Sequence, residues 1–102
     1  MNMGNLMKQA QQFQEKLATI QDELATKMVT GSAGGGMVTA TVSGRSELVG
    51  IAIEKDVVNP EDVRMLQDLV VAAVNDGLRK AKELNQEEMG KLTGGLNLPG
   101  MF

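Results

Sequence analysis

Met28–Glu54, MVTGSAGGGMVTATVSGRSELVGIAIE, decides the fold. Within it Met37–Val42 alternates, with Val38, Ala40 and Val42 on one face and Met37, Thr39 and Thr41 on the other, the period of a half-buried strand. Ser43-Gly44-Arg45-Ser46 reads as a turn. Glu47–Glu54 returns with Val49, Ile51 and Ile53 on one face. Met28, Val29 and Thr30 start an earlier strand, which Gly31-Ser32-Ala33-Gly34-Gly35-Gly36 interrupts with residues too flexible for a strand interior. The stretch is therefore expected to form a small antiparallel sheet over 28–54, its register fixed by one buried face. The glycines do not form a phosphate loop. Such a loop needs Lys and Ser or Thr after its last glycine and then a helix, whereas Met37 and a strand follow Gly36.

Upstream lies a long helical pattern over residues 4–27. Apolar residues step by three and four through Met3, Leu6, Ala10, Phe13, Leu17, Ile20 and Leu24, which is a heptad seam. A helix of about 24 residues is about 36 Å long, at 1.5 Å per residue. So small a domain cannot cover that length, so part of the seam should project toward a partner. The simplest partner is a second copy of the chain. The alternative is a seam lying wholly against its own sheet and second helix. Lys8 and Lys16 fall off the seam and face solvent, where lysines commonly serve solubility alone.

Downstream, Asn59-Pro60-Glu61-Asp62 reads as a helix start: Asn59 caps, Pro60 takes the first helical position and two acids meet the positive end of the dipole. The expected helix spans 60–89, and Leu69–Val74 (LVVAAV) makes it the core helix on the sheet. Gly77 lies inside it at a cost of about 1 kcal/mol relative to alanine, which close packing would explain. Arg79, Lys80 and Lys82 form the densest basic cluster. It suits either phosphate contact or a solvated face paired with Asp76 and Glu83. Gly90 is expected to end the helix, leaving a Gly- and Pro-rich tail over 90–102 that carries Leu92, Leu96, Leu98, Met101 and Phe102.

Composition narrows the function classes. The chain is one 102-residue domain with no His or Cys, which removes thiolate and imidazole chemistry and most zinc sites. No base or metal-ligand constellation indicates an enzyme, and neither a cofactor nor a small-molecule substrate is expected. There is no transmembrane run or secretory signal, and the lack of cysteine fits a reducing cytoplasm. The formal net charge of −3 weighs against a nucleic-acid partner unless the ten Lys and Arg are segregated from the thirteen Asp and Glu.

GSAGGGMVTATVSG (Gly31–Gly44), NPEDVRMLQDLVVAAVNDGLRKA (Asn59–Ala81) and EEMGKLTGGLNLPGMF (Glu87–Phe102), with MGNLMKQAQQFQEKL (Met3–Leu17), resemble the YbaB/EbfC family of bacterial nucleoid-associated proteins over essentially the whole chain. The resemblance implies an α+β fold in α-β-β-β-α order and a tweezer-like homodimer whose long helices project as arms. It further implies cytoplasmic, nucleoid-associated binding of double-stranded DNA, changes in DNA conformation and effects on gene expression. No strict motif marks the DNA contacts, so only basic positions carry over: Lys8, Lys16 and Lys27 on the first helix, Arg79, Lys80 and Lys82 on the second, and Lys91 just beyond. The expected dimer seam is Leu6, Ala10, Phe13, Leu17, Ile20 and Leu24. With two Phe and no Tyr or Trp, the chain offers little platform for stacking single-stranded bases, so duplex gripped mainly through phosphates is the expected mode. The alternative function is a protein–protein interaction module using the seam and the apolar tail.

Overall fold

The computed structural model describes residues 2–94. The order is α1 (Met3–Thr26), β1 (Met28–Ala33), β2 (Val38–Ser43), β3 (Leu48–Ile53), a 3-10 turn at Lys55–Val57 and α2 (Val63–Gly94). This is the α-β-β-β-α arrangement expected from the sequence. The strands form one antiparallel sheet in the order β1-β2-β3.

The alternation in β2 places Val38, Ala40 and Val42 fully inside. There Val38 and Ala40 meet Val57 and Ala73, with Leu66, Leu69 and Val70 of α2 closing the cluster. β1 runs on through Gly31, Ser32 and Ala33, so the flexible segment is shorter than the sequence suggests. Only Gly34, Gly35 and Gly36 turn the chain, at φ +64°, +67° and +93°, a region open to glycine at little cost. Gly31 stays in the strand because α2 crosses directly over it.

β3 differs from expectation. A bulge opposite Thr41 and Val42 takes Val49 out of step, pairing Leu48 with Val42, Ile51 with Ala40 and Ile53 with Val38. Residues directly opposite share a face, so Leu48, Ile51 and Ile53 lie on the α2 side of the sheet. They are not covered. α2 packs over β1 and β2 and scarcely reaches β3, leaving Leu48, Val49, Ile51 and Ile53 at 46, 59, 42 and 42% exposure.

Both ends of α2 also depart from the reading of 60–89. Asn59 Oδ1 accepts from Glu61 N at 3.0 Å, making a turn around Pro60, and Asp62 Oδ1 accepts from Met65 N at 3.2 Å. Asp62 therefore caps a helix that begins at Val63. Gly90 does not stop it. An isolated glycine costs only about 1 kcal/mol inside a helix, and Leu92, two residues on, is buried. Of the expected tail, residues 90–94 are helical; Leu96, Leu98, Met101 and Phe102 lie outside the described residues.

α1 joins the sheet at its C-terminal end. Gly44 N donates to Leu24 O at 3.0 Å and to Lys27 O at 2.9 Å, and Leu24 is fully buried. Along the expected seam, Ile20, Leu17 and Phe13 are half-buried, whereas Ala10 and Leu6 are exposed. The molecule measures 70 × 24 × 16 Å, an elongated body in which the outer half of α1 stands clear of the sheet.

Candidate nucleic-acid interface

The cations named from the sequence fall into three settings. Arg79 and Lys80 are the most engaged. Arg79 Nη2 lies 2.8 Å from Asp76 Oδ1 and Nη1 lies 2.9 Å from Glu83 Oε1, the i,i+3 and i,i+4 spacings that face each other on a helix. Lys80 Nζ lies 3.2 Å from Asp76 Oδ2 and donates to Thr30 O at 3.1 Å. Asp76 Oδ2 also accepts from Ser32 N at 3.0 Å. That backbone hydrogen bond foremost, then Arg79 and Lys80, holds the Asp76 carboxyl down at about 2. The hydrogen bond to Asp76 in turn raises the Arg79 guanidinium. Two cations face two carboxylates, and the cluster is neutral.

Lys27 and Lys91 form the second setting. Lys27, just past the end of α1, places Nζ 3.0 Å from Glu88 Oε1, and Lys91 Nζ approaches the same oxygen at 3.5 Å. The Lys27 hydrogen bond, chiefly, lowers the Glu88 carboxyl. Two cations thus share one carboxylate.

Lys8, Lys16 and Lys82 make up the third. All are exposed and make no ion pair among the described residues. Lys8 and Lys16 lie about 12 Å apart along α1, at 1.5 Å per residue. Lys16 edges an open groove of about 600 Å³ between α1 and α2, with Gln12, Ile20 and Leu92. The structure thus brings Lys16, Lys27 and Lys91 to the α1–α2 junction, sets Lys8 farther out, and leaves Lys82 apart from its expected partners Arg79 and Lys80.

Sequence reasoning missed three exposed, unpaired cations nearer the sheet: Arg45 in the β2–β3 turn, Lys55 and Arg64. It missed Glu88 as well, because its partner Lys27 is 61 residues away. Among the described residues no group of three or more acidic side chains is placed to hold a metal, and no helix is long and apolar enough to cross a membrane.

The model of the YbaB/EbfC DNA-binding family matches residues 1–96. The chain belongs to this family. Its relatives include a nucleoid-associated protein of Syntrophobacter fumaroxidans, 56% identical over 97 residues, which cover 95% of this chain and 88% of that protein. Another, from Thermoanaerobacter pseudethanolicus, is 55% identical over 101 residues, 99% of this chain and 91% of that one. The fold also matches the crystal structure of an uncharacterized protein, HP0035 of Helicobacter pylori. That match has a TM-score of 0.82 and covers 92% of this chain and 99% of that one, at 23% identity.

Proposed function

We propose that this chain is a nucleoid-associated protein that grips double-stranded DNA as a homodimer, mainly through phosphate contacts. Family membership supports DNA as the partner, and the names of its relatives support a place in the cytoplasmic nucleoid. The observation that carries the mode of binding is the uneven neutralisation of its cations. Lys27 and Lys91 share one carboxylate, and Lys8, Lys16 and Lys82 have none. These five offer charge to a phosphate without first breaking a balanced ion pair. Arg79 and Lys80 do not: Lys80 ties α2 to the β1 backbone, and Arg79 is paired along α2 with Asp76 and Glu83. A duplex gripped in this way changes conformation to follow the arms, with effects on gene expression.

Duplex binding measured across a salt series tests this reading. Each phosphate contact contributes about −0.9 to the slope of log affinity against log salt. The wild type is expected to bind random duplex at low salt with a slope of several such contacts. Undetectable binding at low salt overturns the reading. A second reading, a protein-interaction module, draws on the exposed Met3, Leu6 and Met7 at the outer end of α1. Partners that remain in a pull-down after nuclease treatment would favour it.

A further inference from the structure

Gly44, Arg45 and Ser46 join β2 to β3 in a short loop whose backbone is held at both ends. Ser43 N donates to Glu47 O at 2.9 Å, and Ser46 N donates to Ser43 O at 2.9 Å. The hydroxyl of the buried Ser43 accepts from Arg45 N and from Glu47 N, each at 3.3 Å. Ser46 closes the loop at φ +65°, a left-handed conformation that costs any residue with a Cβ. Among the described residues it is the only non-glycine residue with a positive φ. Such strain persists where surrounding contacts impose it, and it gathers at functional positions.

The loop is also seated on the end of α1. Gly44 N donates to Leu24 O and to Lys27 O, and a Cβ at position 44 would stand 2.7 Å from Leu24 O. No side chain fits between them, so the loop and the root of the arm move together. Arg45 comes next in the chain. With the Gly44 N–Lys27 O bond at 2.9 Å, standard chain geometry keeps Arg45 Cα within about 8 Å of the Lys27 carbonyl. The Arg45 side chain is exposed and makes no hydrogen bond or ion pair among the described residues. Glu47, the acid nearest to it in sequence, enters the turn through its backbone N and O.

We infer that Arg45 is a further phosphate-contacting residue, presented to duplex DNA at the root of the α1 arm near Lys27. This rests on the duplex binding proposed above and adds a sixth cation to the five named there. Arginine suits the place, because its planar fork offers a phosphate two parallel hydrogen bonds where a lysine ammonium offers a point charge. A turn fixed in advance presents that fork without the cost of ordering a loop on binding. The other two unpaired cations near the sheet lack this setting. Lys55 follows the far end of β3, about 17 Å from its start at 3.3 Å per residue, and stands in sequence between Glu54 and Asp56. Arg64 lies at the start of α2, about 36 Å along the axis from Glu88 at 1.5 Å per residue.

Duplex titrations across a salt series, run in parallel on the wild type and three variants, test the inference. Arg45→Gln should keep the helical circular dichroism and unfolding midpoint of the wild type. It should weaken binding about tenfold at about 0.1 M salt and flatten the salt slope by about 0.9 for each chain that touches the duplex. Arg45→Lys should keep the wild-type slope, because the charge remains, and lose part of the affinity with the fork. Arg64→Gln removes the same charge elsewhere and should leave the slope unchanged. If the wild type binds and Arg45→Gln has the same slope, the contact is overturned and duplex binding stands. Equal losses from Arg64→Gln and Arg45→Gln would also overturn it, since overall charge alone would then account for both. So would a slope for Arg45→Lys as flat as that of Arg45→Gln. A wild type that fails to bind at low salt overturns the proposed function and this contact with it.

Discussion

Gly31 of β1 and Gly77 of α2 meet backbone to backbone. A Cβ built on Gly31 would stand 2.6 Å from Gly77 Cα, and one built on Gly77 would stand 2.8 Å from Val42 Cγ2. The crossing lets α2 lie close enough to reach Ser32 and Thr30 with Asp76 and Lys80. The two substitutions should differ. Gly31→Ala collides with main chain that cannot step aside and should destabilise by about 3 kcal/mol, at the upper end of overpacking costs. Gly77→Ala meets a side chain and gains about 1 kcal/mol of helix propensity, so its net loss should be smaller. Adding Val42→Ala should relieve the contact. Urea unfolding of the three variants measures the order.

Asp76 gives a pH prediction. Its carboxyl sits at about 2 in the folded chain against an ordinary 3.8. Below pH 4 the unfolded chain takes up the proton more readily than the folded one, so stability falls as pH drops from about 4 toward 2. Above pH 4 the contribution is fully present. Thermal midpoints between pH 6 and 2 should decline more steeply for the wild type than for Asp76→Asn, and parallel curves would remove Asp76 from the acid response.

The two basic clusters should separate in a DNA titration. Lys27→Gln/Lys91→Gln is expected to weaken duplex binding about tenfold and flatten the salt slope by about two contacts' worth. Arg79→Gln/Lys80→Gln should change affinity less but lower the unfolding midpoint, because Lys80 bonds the β1 backbone at Thr30 and Arg79 pairs with Asp76, which accepts from Ser32 of β1. Equal losses of affinity from both pairs would contradict the assignment of separate roles.

Leu24 anchors α1. Removing its fully buried side chain by Leu24→Ala should cost about 3 kcal/mol, as for other buried leucines. The loss should appear first in α1. Hydrogen exchange across Met3–Thr26 should accelerate before exchange in β2 does.

What was legible in the chain followed from periodicity and local chemistry. The alternation Val38–Val42 fixed both a strand and its inner face, and the three-four spacing from Met3 to Leu24 fixed a helix. Propensity could not show that Gly31 stays in a strand, because the reason lies in Gly77, far along the chain. Nor could it place Val49, since the bulge depends on how β3 meets Thr41 and Val42. Asn59-Pro60 looked like a cap because the residue types suit one, yet Asp62 takes that role three positions later. For the candidate interface, the basic residues were visible but their neutralisation was only half visible. Asp76 and Glu83 lie within one turn of Arg79, whereas Glu88 reaches Lys27 only through the fold.

α1 is fixed near one end, by Gly44, by Lys27 and by the contact of Ile20 with the groove at Leu92. From Gln12 to Met3 the free helix is about 14 Å long at 1.5 Å per residue, so a tilt of about 10° at its root moves the far end by about 2 Å. The arm therefore works as a lever. Small rearrangements of side chains at its root are carried outward to the exposed end at Lys8. A stiff rod on a narrow pivot can in this way fit its load without unfolding a single turn.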